Sequence, residues 1–344
     1  MPHRPHRPLL WSEAIEQALY GPGGFYHRPE GPAGHFRTSV HASPLFAAAI
    51  FRLIQQVDSA LGHSDRFDLV DVGAGRGELF QQLAPLLDTT ETGLHERIRL
   101  HAVERAERPA GAASHTAWTA DLPEDVVGLI VANEYLDNVP LDVVEVASQG
   151  LQRVLVVPST GEESPGGPIG LRDAAWLAKW WPLDLDAPGA RAEVGTSRDR
   201  AWASVVASLT RGVVVAIDYG HLRADRAAGA YPAGTLVGYR EGRATSPIPD
   251  GSCDLTAHVA IDACAQAGLK AGATSSRLIR QRAALAELGI SGRLPPVALA
   301  GTDPAAYARE LTAASQAAEL RDPSGLGGFW WLTQTVGFEL LPRE

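Results

Sequence analysis

Hydrophobic residues in this chain follow two rhythms that exchange at short intervals. Short, mostly apolar runs such as "FDLVDVG", "IRLHAVE", "VVGLIVAN" and "GVVVAIDYG" have the length and β-branched content of buried strands. Between them lie stretches with a three-to-four-residue period, "GELFQQLAPLL" and "RDRAWASVVASLT", which predict helices. "PLFAAAIFRLIQQVDSAL" predicts another, with Ser43 as N-cap and Pro44 in its first turn. Residues 9–20 form an expected amphipathic helix, with Leu10, Ile15 and Leu19 set among acids and "YGPGG" as its stop. "LTAHVAIDACAQAGL" reads as helical with Asp254 or Thr256 as its cap, and "GFWWLTQTVGFEL" as a final strand.

Strands interleaved with helices imply an α/β fold with a largely parallel, doubly wound sheet. The plan is interrupted by "LDVVEVASQGLQRVLVVPST", an expected hairpin, and by "GEESPGGPIG", an expected surface loop. Residues 21–43, dense in Gly, Pro, His and aromatics, read as a long functional loop, a lid. The segments expected are therefore an N-terminal arm and lid (1–50), a first half of the core (51–150), a β-rich insertion (151–192) and a second half of the core (193–344).

Composition changes this picture little. The 344 residues are 45% hydrophobic and 20% charged, ordinary for a globular chain with a full core. A formal charge of −10 argues against non-specific binding to nucleic acid or to an anionic membrane. The two cysteines, Cys253 and Cys264, form no C-x-x-C pair, so neither a zinc ribbon nor a disulfide framework is supported and no metal site is expected. No apolar run approaches the ~20 residues of a membrane span. The start of the chain lacks the apolar segment of a signal peptide, so a cytoplasmic location is expected.

Candidate chemistry begins at "FDLVDVGAGRGELF". A nicotinamide fingerprint needs Gly-x-Gly-x-x-Gly. Here the glycines are Gly73, Gly75 and Gly77, and the place of the third glycine is taken by Glu78, whose carboxylate would repel a pyrophosphate at a helix start. The phosphate-loop pattern fails because no Gly-Lys-Ser/Thr follows. What remains is acidic-x-Gly-x-Gly-x-Gly led by Asp71. Downstream, Glu104 ends the next strand, where a doubly wound fold sets an acid on ribose hydroxyls, and Asp121 in "WTADLPED" could meet an adenine amino group.

This turn resembles the first motif of class I S-adenosyl-L-methionine-dependent methyltransferases. Together with "ALYGPGGFYHRPEGPAGHFRTSVHASPLF", "VANEYLDNVPLDVVE", "AIDYGH" and "DLTAHV", in this order, the chain resembles the MidA-like methyltransferase family. The resemblance runs from the first helix to the C-terminal strand. It implies a class I Rossmann-like fold with an N-terminal lid, S-adenosyl-L-methionine as cofactor, and a protein arginine as acceptor, since the family includes a mitochondrial complex I assembly factor that methylates an arginine. Asp71 would then orient the cofactor's ammonium group, Glu104 its ribose, and Asn133 would hold cofactor or acceptor, with Phe36 and Thr38 of the lid nearest the cofactor. The chain departs from the family pattern at His35 and His41, where acids are expected, and at Asn138, where a small residue is expected.

On the acceptor side, Glu134 and Asp137 follow one core strand and Asp218 ends the next, which suits a cationic acceptor. His221 and His258 are candidate proton carriers near neutral pH, and His258 joins the three acids as an expected catalytic residue. Two other readings stay open: methylation of a small molecule, with His35 and His41 as bases, and a non-catalytic assembly factor that keeps the fold.

Overall fold

The computed structural model describes residues 7–28, 38–89, 93–112 and 115–338. The chain folds into two compact units. One gathers Arg37–Glu134, Val205–Asp218 and Gly272–Glu344, and the other Met1–Phe36, Tyr135–Ser204 and Tyr219–Ala271.

The first of these is built on a seven-stranded sheet. Its strands are β1 (Phe67–Val72), β2 (Ile98–Val103), β3 (Ala117–Thr119), β4 (Val126–Asn133), β5 (Leu209–Asp218), β6 (Ser275–Arg280) and β7 (Trp330–Val336). They lie in the order β3-β2-β1-β4-β5-β7-β6. β1 to β5 are mutually parallel, while β7 runs antiparallel to both β5 and β6. Chain order therefore reverses between β1 and β4, which opens a crevice at their carboxyl ends.

Every residue of β1 is buried, as expected of a central parallel strand covered on both faces. That includes Asp68. Burial alone would raise its carboxyl, but hydrogen bonds from His101, Arg66 and the Val127 N–H prevail and hold it at about 2. The helix Pro44–Ala60 packs Phe46, Ile50, Leu53, Ile54 and Val57 into this core, the spacing of one helical face. It starts as the sequence predicts: Ser43 Oγ accepts from the Leu45 N–H at 3.1 Å, and Pro44 follows. The helix Glu78–Leu87 buries Leu79, Phe80, Leu83 and Leu87.

β7 is the expected final strand, but it lies inside the edge strand β6. β6 escapes sequence reading because "SSRLIR" has neither alternation nor a buried run, its first three residues being exposed. Such an edge strand is specified by its partner more than by its own residues.

The other unit carries a sheet in which Leu9–Leu10, Gly150–Val156, Asp142–Ala147 and Arg191–Val194 are neighbours in that order. Asp142–Ala147 and Gly150–Val156 are the predicted hairpin. The "GEESPGGPIG" segment corrects the expectation of a loop: Glu163–Pro168 pairs antiparallel with Gly150–Val156. Proline and glycine are tolerated there because the strand lies at an edge and its register shifts between Gln152 and Val154. The helix Trp11–Tyr20 packs Trp11, Ile15 and Leu19 with Leu141, Val143, Val154 and Val156. "DLTAHV" is a second correction. It forms two short strands, Asp254–Thr256 and Val259–Ala260, and the helix begins only at Ile261, without a side-chain cap. Among the described residues no helix is long and apolar enough to cross a membrane.

Candidate active site

The turn after β1 needs its glycines for conformation. Gly73, Gly75 and Gly77 have φ of 75°, 57° and 80°, the left-handed region that L side chains avoid. Gly73 and Ala74 donate their N–H groups to Val103 O at 2.9 and 3.3 Å, which ties the turn to the end of β2. A side chain at Gly75 would put its Cβ 3.1 Å from Glu78 Oε2, and one at Gly77 would lie 3.5 Å from the Trp118 ring.

Glu104 reaches back onto this turn. Its Oε2 accepts the Gly75 N–H at 2.9 Å, and its Oε1 accepts those of Arg105 and Ala106 at 2.7 and 3.0 Å. Trp118, on β3, closes the far side, with its Nε1–H donated to Ala106 O at 3.1 Å. Sequence reasoning missed Trp118, because an isolated aromatic on a short strand carries no pattern.

Three carboxylates thus surround one turn, and their states differ. Burial pushes the Asp71 carboxyl up to about 8, and the charges of Glu78 and Glu104 act in the same direction. Burial also raises Glu78, but hydrogen bonds from His41, from its own N–H and from the Arg76 N–H outweigh it and leave Glu78 below its ordinary value. The Arg76 N–H lies 2.8 Å from Glu78 Oε2, and His41 Nε2 lies 3.4 Å from Oε1. A buried acid that ionises reluctantly among other acids is a fitting partner for a cation. Phosphates would be repelled here.

At the carboxyl ends of β4 and β5 two of the three predicted acids, Glu134 and Asp218, are neighbours, while Asp137 lies in the other unit. Asn133 pairs with Ile217 across the two strands, so Glu134 and Asp218 are adjacent. Glu134 has a φ of 51°, rare for a residue with a side chain, and its N–H is donated to Ile217 O at 2.8 Å. Its Oε1 accepts the Ser39 N–H at 2.9 Å and Asn133 Nδ2 at 3.2 Å. The carboxylate can only accept, so Asn133 faces it with its NH2 group, and Asn133 Oδ1 is left buried without a partner among the described residues. Asp218 is fully buried. Thr38 Oγ1 lies 2.8 Å from His41 Nδ1 at the start of the short helix Ser39–Ala42. Phe36 and His35 lie outside the described residues. Asp121 is an exposed turn residue whose N–H is donated to Thr119 Oγ1 at 3.1 Å.

The remaining candidates share the other unit. Asp137 is buried, and its Oδ2 accepts the hydroxyls of Tyr219 and Thr256 at 2.5 and 2.6 Å. Asn138 has a structural reason to be an amide: it accepts from Tyr26 OH at 2.8 Å and donates to Asp254 Oδ1 at 3.0 Å. Burial and the nearby Asp137 charge push the Asp254 carboxyl up to about 7. His258 is half-buried, its ring 5.3 Å from that of Tyr219 and 6.0 Å from that of His221. Burial and the Arg198 charge lower its pKa.

His221 corrects the expectation of a proton carrier near neutral pH. Burial and the charge of Arg226 push it down to about 3. Arg226 Nη1 donates to its Nδ1 at 2.9 Å, so the ring is a neutral imidazole with its proton on Nε2. Among the described residues, no group of three His, Cys, Asp or Glu side chains could hold a metal ion.

A strand order of 3-2-1-4-5-7-6 with strand 7 reversed, and an acid-led glycine turn at the switch point, define a class I methyltransferase. The comparisons with known proteins narrow this. Residues 45–279 match the model of the family described as "Putative S-adenosyl-L-methionine-dependent methyltransferase", and the chain belongs to that family. A COG1565 superfamily member from Burkholderia thailandensis, solved bound to S-adenosyl-homocysteine, is similar over 96% of this chain and 89% of its own, at 26% identity and a TM-score of 0.78. A native structure of a COG1565 superfamily protein from the same organism gives 27% identity and a TM-score of 0.76, over 96% and 88% of the two chains. No curated protein gives a significant match.

The chain is thus an S-adenosyl-L-methionine-dependent methyltransferase. Its own residues fit that donor. Asp71 would take the ammonium group, Glu104 would exchange its backbone bonds for ribose hydroxyls, and the left-handed glycines leave room beside the backbone.

Proposed function

We propose that this methyltransferase acts on a protein, at an arginine nitrogen. The observation that carries the reading is the pair Glu134 and Asp218, two acids side by side at adjacent strand ends, one of them held in a left-handed backbone. Backbone strain of this kind costs about 1–3 kcal/mol and persists where the surroundings enforce it, often at functional sites.

When bound, the cofactor supplies an electrophilic methyl group on a sulfonium. A guanidinium is a poor nucleophile because its pKa exceeds ~12. Glu134, half-buried, can grip its N–H edge and localise positive charge away from the reacting nitrogen. Asp218, fully buried, ends the adjacent strand beside it. The N–C bond forms as the C–S bond breaks with its electron pair passing to sulfur, and the nitrogen then releases its proton to the Glu134 carboxylate. Alignment supplies most of the acceleration in such an in-line displacement.

The test uses Glu134→Gln and Asp218→Asn with labelled S-adenosyl-L-methionine and host-cell lysate. Label transfer to protein should fall by about a hundredfold or more in Glu134→Gln, with S-adenosylhomocysteine affinity within about threefold of wild type. Full transfer by both variants, or label appearing only in small molecules, contradicts the proposal.

A further inference from the structure

Within the unit built on the seven-stranded sheet, the short helix Ser39–Ala42 and the Ser43 that follows are pegged by side chains distant in sequence. Gln82 Nε2 donates to Val40 O at 2.8 Å, and Ser43 Oγ donates to Gln316 Oε1 at 3.1 Å. Ser39 is fully buried, and so is its partner Gln281. Trp331 Nε1–H can only donate, and it lies 3.0 Å from Gln281 Oε1, so the amide oxygen faces the indole. The Gln281 NH2 group therefore faces Leu320 O and Ser39 Oγ, both at 3.3 Å.

The group fixed by this arrangement is the backbone N–H of Ser39. As the first residue of its helix, Ser39 has no acceptor for that N–H within the helix. It is donated to Glu134 Oε1 at 2.9 Å, and Asn133 Nδ2 reaches the same oxygen at 3.2 Å. The Glu134 backbone is held as well, with its left-handed φ and its own N–H on Ile217 O. The last torsion of a glutamate is soft, so the plane of its carboxylate is set by what donates to it.

We propose that Ser39 is a positioning residue: its buried N–H, anchored through the Ser39 hydroxyl to Gln281, sets the plane in which the Glu134 carboxylate meets the methyl acceptor. The assignment rests on the acceptor reading given above. A guanidinium pairs with a carboxylate edge to edge in one plane. A carboxylate turned out of that plane loses the alignment on which an in-line displacement depends. All the residues involved belong to one compact unit.

Ser39→Pro deletes the N–H and little else of the backbone, because proline is favoured at the first position of a helix and Thr38 before it is already extended. Ser39→Ala keeps the N–H and drops the hydroxyl. Labelled transfer from S-adenosyl-L-methionine to lysate protein should fall at least about tenfold in Ser39→Pro and no more than about threefold in Ser39→Ala, with S-adenosylhomocysteine affinity within about threefold in both. In a Glu134→Ala background, Ser39→Pro should lose no more than about twofold further, since the donor has nothing left to hold. Equal transfer by Ser39→Pro and Ser39→Ala overturns the proposal, as does a full tenfold loss in the Glu134→Ala background. Ser39 amide hydrogen exchange, followed by NMR, should quicken at least about tenfold in Glu134→Ala. Unchanged exchange overturns the proposal, and this measurement decides alone if Ser39→Pro does not fold or if wild-type protein transfers no label. Label confined to small molecules contradicts the protein-arginine reading, while the same comparison of variants on that label still decides the role of Ser39.

Discussion

Asp71 shows how one residue sets stability and ligand binding against each other. Its buried carboxyl, at about 8, is protonated in the free protein at neutral pH. A bound ammonium would favour the carboxylate, so cofactor binding should release a proton. Calorimetry with S-adenosylhomocysteine at pH 6.5, in buffers of different ionisation enthalpy, should detect that release in wild type and not in Asp71→Asn. The variant should also lose about ten- to hundredfold in affinity, as expected for a lost charge-assisted hydrogen bond. Equal affinities, or no proton release in wild type, would remove Asp71 from the cofactor site. Gly75 makes the complementary case. Alanine there meets a left-handed backbone and a Glu78 oxygen 3.1 Å away, so it should cost about 1–2 kcal/mol in denaturant unfolding. Aspartate adds a fourth carboxylate and should abolish detectable binding of S-adenosylhomocysteine.

Among the elements, strand–turn–helix around β1 was the most legible, because three independent signals coincide there. The apolar run has strand length, the glycines fall at every second position, and the helix shows a clean buried face. The start of the helix Pro44–Ala60 was legible for a similar reason, and Ser43→Ala should cost about 1 kcal/mol, read as a shift in denaturant midpoint at constant slope. Elsewhere local pattern failed. β6 and the strand Glu163–Pro168 are edge strands set by their partners, and "DLTAHV" forms strands where helix periodicity happened to continue. The candidate site divides in the same way. Glu104, Glu134 and Asp218 could be placed because strand ends are readable. The pairing of Ser39 with Glu134 crosses 95 positions and the bond from Arg198 Nη1 to His258 O crosses 60, and neither leaves a local trace. The lid is best probed by single changes. Trp11, Leu19 and Phe25 are core residues, so removing the first 43 residues would cut into a core and not only a lid. His41→Ala instead frees Glu78 from its partner, and it should weaken S-adenosylhomocysteine binding several-fold with little change in unfolding midpoint; unchanged affinity would separate His41 from the cofactor turn.

Across the whole molecule, several buried groups titrate far from their ordinary values, and their signs oppose. Asp254 at about 7 and Asp71 at about 8 have folded values above the unfolded carboxylate range. The stability they contribute is complete below about pH 4 and is lost as pH rises through 7 and 8. His221, held down to about 3, acts on the other limb: its unfolded form gains a proton below about 6.5 and the folded form does not, so stability falls with acidification there. The cofactor-free protein should therefore melt at a lower temperature at pH 9 than at pH 6, and Asp71→Asn should recover part of that loss. A flat profile between those values would contradict the buried-carboxyl account. The central claim is the acceptor, and the chemical form of the transferred methyl group tests it most directly. Host proteins labelled by this enzyme from S-adenosyl-L-methionine should yield methylarginine on mass-spectrometric analysis of their digests, absent with Glu134→Gln. Label on another residue type, or confined to small molecules, would contradict it.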